Sequence, residues 1–275
     1  MVMLCNSLPS NDLQIFTSVN NHWWAEIKQD GVRATLNFKG GVYRLKNRRG
    51  TDITKQFPEI TNLQLTHDCI LDGELVVFQQ SKAIFQEGIK KRVHCTNPSS
   101  INSSADKFPA TFVAFDIIEL NNNPLINLPL IKRRELLKKT VKETKQLIIT
   151  KKYSSPVLLW EEIKKNDLEG LVLKNPLSLY VNKRSSDWLK VKNLQEVDES
   201  FNSYEVNNQG IRLTNNQGLA VQVNGYQSQL AVKELLLYGS LIAKINHLGF
   251  TSSGKLRQPV VKEIIVTEEQ TNGKK

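Results

Sequence analysis

Glu26, Lys28, Asp30, Gly31 and Arg33 crowd into the eight residues EIKQDGVR, 26–33. Along an extended chain side chains alternate, so Glu26 and Lys28 share one face while Ala25 and Ile27 take the other. The Asp30-Gly31 pair favours a turn and lets backbone approach a ligand closely. A lysine in such a wall could act as a nucleophile. It attacks only as the neutral amine, so the ordinary lysine pKa of about 10.4 must be lowered by burial or by nearby cations.

Compatible chemistry recurs further along. RLKNRRGTDIT (44–54) brings basic side chains to a strand end, where Arg48 can fork onto a ribose or phosphate; a solvated edge cluster is the other reading. LDGELVVF (71–78) places Asp72 and Glu74 on one strand face, where two acids among Leu and Val need water, a cation or a hydroxyl. FVAFDII (112–118) offers Phe115, either as core or as a stacking face worth about 1–3 kcal/mol per base. EGLVLKN (169–175) and WLKVKN (188–193) supply Glu169, Lys174, Lys190 and Lys192. Lys190 and Lys192 share a face and can clamp a phosphate, and Glu169 suits a hard cation such as magnesium. Strict alternation sets Glu169 and Lys174 on opposite faces, so both serve one site only if Glu169 precedes the strand or lies at a bend.

The elements that must position these groups follow from pattern. Residues 23–38 and 42–48 read as strands joined at Lys39-Gly40-Gly41, with further strands at 69–78, 112–120, 170–174 and 188–192. A helix is expected after Pro129 with Leu136, Leu137 and Val141 on its apolar stripe, and another over about 157–166. Residues 94–108, rich in Ser and Asn, read as a polar loop. After Asn193 the texture changes to short strands with Asn-Gly turn signals and one apolar helical stretch, 229–238, which fits a small β-barrel. The lysine-ended tail (274–275) is expected to fray.

Composition narrows the class. The 275 residues carry 37 Lys+Arg against 27 Asp+Glu, a net charge of +10, which favours a polyanionic partner. A hydrophobic fraction of 40% is enough for real cores. Cys5, Cys69 and Cys95 are scattered, and His22, His67, His94 and His247 have no metal-ligand spacing. No apolar run reaches transmembrane length and no leader pattern opens the chain, so an intracellular protein is expected, cytoplasmic or nucleoid-associated, or in a host cell if viral.

In order, KQDGVR, NRRGTDIT with FPEI, LDGELVVF, VAFDII, EGLVLKN and WLKVK resemble the motifs of ATP-dependent DNA ligases, within the covalent nucleotidyltransferase superfamily. PLIKRRELL (129–137) resembles their linking segment, and the likeness runs from about residue 20 to 260. It implies an α+β fold: a nucleotidyltransferase domain of ATP-grasp-like mixed sheets and helices over residues 1–193, then a small OB-fold barrel over 194–275. It implies that Lys28 attacks the α-phosphate of ATP and carries AMP, with Glu26 on the adenine and Phe115 stacked against it. Arg33 and Arg48 would meet the sugar, the phosphates or a DNA 5′-phosphate. Glu74 would meet the ribose or a metal, and Glu169 magnesium or another hard divalent cation. Lys174, Lys190 and Lys192 would bind the α-phosphate, and these cations would favour the neutral form of Lys28. Arg184 and Trp188 would help shape the pocket, and Arg49, Arg184, Arg257 and Lys262 are candidate DNA contacts.

The implied partner is nicked duplex DNA, sealed by a monomer with no membrane attachment, in replication, repair or recombination. ATP rather than NAD rests on the same likeness. An RNA ligase, a capping-type guanylyltransferase and a binding relative without turnover are the alternatives. SGKLRQP (253–259) resembles the approach to the last ligase motif, but VVKEIIVTEE follows where arginine and lysine are usual. Lys262, Lys255 or Arg257 would have to substitute. Lys28 lies near the start, so no large DNA-binding domain is expected ahead of it, and the 94–108 segment is expected to help grip the duplex.

Overall fold

The computed structural model describes residues 2–17, 22–80, 82–251 and 253–266; the lysine tail lies outside them. The chain separates into two compact units, Met1–Asn193 and Leu194–Lys275. In the first, strands β1 (Leu4–Ser7), β2 (Trp24–Ile27), β3 (Val32–Lys39), β4 (Val42–Asn47) and β5 (Cys69–Gln79) precede helix α1 (Pro98–Lys107). Strand β6 (Ala110–Leu120), helices α2 (Leu130–Thr140) and α3 (Pro156–Lys165), and strands β7 (Gly170–Lys174) and β8 (Arg184–Lys192) complete it.

Two sheets result. One has the order β1–β8–β7–β2, with β1 parallel to β8 and the other pairs antiparallel. The larger has β4–β3–β5–β6 at its centre, extended by short strands including Leu147–Ile149. Its core gathers Leu36, Leu45, Phe57, Leu71, Leu75 and Phe112, all without exposure.

The continuous strand expected over 23–38 is corrected here. It breaks at Lys28–Gly31 into β2 and β3, which belong to different sheets. Gly31 makes the crossing possible: a Cβ there would lie 2.3 Å from the Leu75 carbonyl oxygen. The polar loop expected over 94–108 is also corrected, because α1 occupies most of it. Asn97 caps the helix by accepting from the Ser99 N–H at 3.0 Å, Pro98 sits in the first turn, and Ile101 and Ala105 form a buried i, i+4 pair. Cap and proline are local signals that outweigh a Ser-rich composition.

Helix α2 sets the expected residues against the core: Leu137 is buried, Leu136 packs there half-buried, and Val141, just past the helix end, is buried as well. The positions that turn inward are Leu130, Arg133, Arg134 and Leu137. The Arg133 guanidinium forks onto Asp116 at 2.9 and 2.8 Å and donates to the Leu128 and Ser178 carbonyls. Arg134 donates to the Phe115 and Thr150 carbonyls at 3.1 and 2.6 Å. The helix is held by charge-assisted hydrogen bonds in addition to its apolar contacts.

The second unit holds β9 (Gln195–Phe201), β10 (Ser203–Asn207), β11 (Gly210–Thr214), β12 (Ala220–Val223), helix α4 (Gly225–Tyr238), β13 (Leu241–His247) and β14 (Val260–Ile265). They make two antiparallel three-stranded sheets, β9–β13–β14 and β10–β11–β12. Phe201, Leu213, Val221, Ala231, Ala243 and Ile245 form their shared core with α4. Gly239, at φ 71°, ends α4 in the left-handed conformation and its N–H reaches the Leu235 carbonyl.

Asp116→Ala should leave the buried Arg133 charge unpaired and cost about 3–5 kcal/mol. A urea titration followed by circular dichroism should show the midpoint fall sharply; an unchanged midpoint would remove the ion pair from the account of the fold.

Candidate active site

Strand pairing builds the site in rows. Trp24, Lys174 and Trp188 stand opposite one another across β2, β7 and β8; Glu26, Val172 and Lys190 form the next row. Lys28 follows β2 and donates its backbone N–H to Gly170, whose other partner is Lys192. One sheet face therefore presents Glu26, Lys28, Lys174, Lys190 and Lys192 together.

Glu169 meets this face because it precedes β7. Gly170, at φ 148°, turns the chain there, and a Cβ on it would stand 2.0 Å from the Val191 carbonyl oxygen. The Glu169 carboxylate thus reaches the Lys28 Nζ at 2.6 Å. The opposite-faces conflict disappears because strand alternation begins one residue after Glu169.

The charge state of Lys28 is the reverse of the sequence expectation. Burial alone would lower it, but Glu169, with Glu74 and Asp30 behind it, outweighs burial and holds the ammonium above the ordinary lysine value. Lys174 and Lys192 move the other way, mainly through burial. Glu74 is pushed up to about 7 by burial, against the pull of Lys28 and Arg33.

Glu26 is almost fully buried, and both its carboxylate oxygens are occupied. Oε1 accepts from the Trp24 indole N–H at 3.0 Å, and Oε2 accepts from the Lys174 ammonium at 2.7 Å. The Arg134 guanidinium stands 3.8 Å from Oε1. Lys174 therefore sits with Glu26, its ammonium 4.2 Å from the ring centroids of both Phe115 and Trp188. The Trp188 ring is buried, yet its indole N–H has no hydrogen-bond partner among the described residues. A buried donor left over in this way suits an acceptor on a ligand.

The larger sheet supplies Arg33, Glu74 and Phe115. Arg33 and Glu74 are paired across β3 and β5. Arg33 forks onto Asp72 with two bonds of 2.7 Å, and the Tyr180 hydroxyl donates to the same carboxylate at 2.6 Å. The Arg33 guanidinium lies 4.5 Å from the Phe115 centroid and donates to the Met3 carbonyl. Asp72 and Glu74 thus differ in role: Asp72 is a buried anchor for Arg33, while Glu74 faces the lysine.

Arg48 and Arg49 stand in the exposed turn after β4. Arg184 is exposed and donates to the Cys5 carbonyl. In the second unit, Arg257 lies on the loop whose backbone bonds Leu248 and Gly249, and Lys262 is ion-paired with Glu196, both half exposed. Trp24, Val172, Tyr180, Arg134 and strand β1 escaped the sequence reading. Four residues, LCNS, are too short for a periodicity signal, but the Trp23-Trp24 doublet ahead of Glu26 could have drawn notice.

Two outcomes are expected. The Lys28 amine should react with acetic anhydride only above the pH at which ordinary lysines react, and Glu169→Gln should move that half-reaction pH downward, read residue by residue by mass spectrometry. A midpoint that Glu169→Gln leaves in place would detach Glu169 from control of the amine. Gly170→Ala should be poorly folded or show lowered thermal stability, because both φ and the Val191 carbonyl oppose the methyl.

Comparison with known proteins places this arrangement. Residues 2–192 match the family described as ATP dependent DNA ligase domain. The chain is 29% identical over 210 residues to the bifunctional non-homologous end joining protein LigD of Bacillus subtilis, covering 69% of this chain but about a third, 34%, of that protein. It is 25% identical over 274 residues to the SPbeta prophage-derived DNA ligase-like protein LigB of the same organism, covering 94% and 96% of the two chains. Among solved structures, a Lig E DNA ligase described as binding DNA with a minimal scaffold superposes with a TM-score of 0.67 at 16% identity, covering 96% of this chain and 98% of that one. That likeness concerns the fold. With the family matched over the whole unit that carries Lys28, the chain belongs to the ATP-dependent DNA ligases.

Proposed function

We propose that the protein seals nicks in duplex DNA, using ATP and a lysyl-AMP intermediate on Lys28. The observation that carries this reading is the row geometry: one nucleophile candidate, Lys28, in direct contact with a carboxylate and flanked on its own sheet face by Lys190 and Lys192. The Lys28 Nζ forms a bond to the α-phosphorus while the bond to pyrophosphate breaks. Lys190 and Lys192 lie where they can hold the α-phosphate and stabilise its developing charge. Lys28 must first lose a proton, and Glu169 is the group in contact to receive it. AMP then passes to a DNA 5′-phosphate, and a 3′-hydroxyl displaces it to close the backbone.

Glu74 and Glu169 both act on Lys28 electrostatically. Among the described residues no three His, Cys, Asp or Glu side chains form a metal-binding group. Two carboxylates suit magnesium, which completes its shell with phosphate oxygens and water. Such an ion would neutralise phosphate charge when bound. It would also compete with Lys28 for Glu169.

Within this reading the Leu194–Lys275 unit is the OB-type barrel, supported by its two three-stranded sheets and single helix. Arg49, Arg184, Arg257 and helix α1 are candidate contacts to DNA phosphates, which carry no sequence information. Lys255, Arg257 and Lys262 are the basic side chains near Pro259 that could attend the leaving pyrophosphate. The protein acts as a monomer inside the cell. Among the described residues no helix is long and apolar enough to cross a membrane.

One experiment tests the reading. Incubation with magnesium and labelled ATP should place covalent label on Lys28, Lys28→Ala should abolish it, and nicked DNA should discharge it with sealing. Label from GTP, or discharge only by nicked RNA, would transfer the assignment to a capping-type enzyme or an RNA ligase. Failure to form any adduct would end the enzymatic reading. Sealing should weaken steeply with added salt, as phosphate-dominated binding requires.

A further inference from the structure

Trp24 lies outside the six motifs, yet it holds one of the two oxygens of Glu26. Its indole N–H donates to Oε1 at 3.0 Å, and Lys174 takes Oε2 at 2.7 Å. All three residues are buried, with exposures of 6%, 2% and 2%. The indole is itself braced: the Lys152 ammonium stands 4.4 Å from the Trp24 ring centroid. A competitor for Oε1 waits nearby, the Arg134 guanidinium at 3.8 Å. Arg134 has two closer partners, the carbonyls of Phe115 and Thr150, so it is fixed in place. Without the indole, the carboxylate would turn toward that fixed positive charge and away from Lys174.

The two oxygens therefore differ. Oε1 is tied to an uncharged donor that belongs to the same strand. Oε2 is tied to the end of a flexible lysine, whose ammonium also lies against Phe115, the candidate stacking ring. The Arg33 guanidinium, 4.5 Å from the same centroid, is tied to Asp72, so a base stacking on the Lys174 side of Phe115 displaces the ammonium, and Oε2 then needs a new donor. A buried carboxylate oxygen left without one is costly, and one facing another acceptor is worse. An exocyclic amino group, as on adenine, supplies an N–H. A carbonyl at the same ring position, as on hypoxanthine or guanine, does not.

We propose that Trp24 is a positioning residue for base selection: by fixing Oε1 it presents Oε2 of Glu26 for exchange between Lys174 and the amino group of an incoming adenine. This rests on the reading of Lys28 as the AMP acceptor, with the base beside Glu26 and Phe115. The same exchange frees Lys174 to turn toward the nucleotide phosphates, so that choosing the base and delivering a cation become one event.

The test compares ATP with inosine triphosphate, which differs at that ring position, in loading of Lys28. Wild-type protein should show a KM at least tenfold higher for inosine triphosphate. Trp24→Phe, which keeps the ring and loses the N–H, should raise the KM for ATP about tenfold, leave kcat within about twofold, and reduce the preference for ATP at least fivefold. Trp24→Gln, which restores an N–H donor, should recover part of the preference. A merely structural role would lower loading of both nucleotides in parallel. An unchanged preference in a folded Trp24→Phe, or wild-type protein that loads both nucleotides equally well, overturns the proposal while leaving Lys28 as the AMP acceptor. Absence of loading from any nucleotide defeats both.

Discussion

The first unit depends on buried charge shared between neighbouring elements. Glu26, Asp72 and Asp116 are each exposed by 2% or less, and each meets a cation brought by a different element. Asp72 receives Arg33 and the Tyr180 hydroxyl, Asp116 receives Arg133, and Glu26 receives Lys174 with Arg134 close by. Taking such ions out of water costs several kcal/mol each, recovered only when geometry is good and the remaining hydrogen bonds are made. Arginine suits this role because its rigid fork satisfies a carboxylate and backbone carbonyls at once. Arg133 does both, and through it helix α2 is fastened to β6 and to the approach of β8. A slipped register would strand several charges together, so these pairs specify the register of the strands as much as they stabilise it.

That frame explains the electrostatics of the site. Cations are numerous around Lys28, and by number alone they should favour its neutral form. Distance decides otherwise, since Glu169 at 2.6 Å touches the ammonium directly. The result is a lysine kept protonated and paired, while burial pushes the neighbouring Glu74 up to about 7. The poised element is the Lys28–Glu169 contact. Any ligand that draws Glu169 away would remove the main charge that holds the ammonium.

Much of this was legible in the sequence wherever strand period and register carry the information. Alternation alone grouped Glu26 with Lys28 and Lys190 with Lys192, and the strand pairing puts them on one face. The break at Gly31 was not legible, because a run of alternating residues does not reveal that it serves two sheets. Helix α1 was hidden by Ser and Asn, whose propensity for loops is overridden by the Asn97 cap and the Ile101–Ala105 contact. Helix α2 and its apolar residues were legible, but its inward face also carries two arginines, and hydrophobic periodicity cannot register a charge buried against Asp116. The Trp24 and Tyr180 contacts depend on partners 2 and 108 residues away, and only the longer one is beyond local reading.

Strand β1 carries a consequence for how the molecule comes into being. It pairs with β8 across about 180 residues of chain, and β2 pairs with β7 across nearly 150. Contacts of such sequence separation form late, after loop-closure entropy has been met, and they slow folding. Lys28 leaves the ribosome well before Glu169, Lys190 and Lys192, which come last in the unit. A nascent or truncated chain thus exposes the lysine without its carboxylate partner or its neighbouring lysines. The cluster around Lys28 is complete only when the final strand closes the sheet, so its charges are balanced in the folded unit and not along the emerging chain.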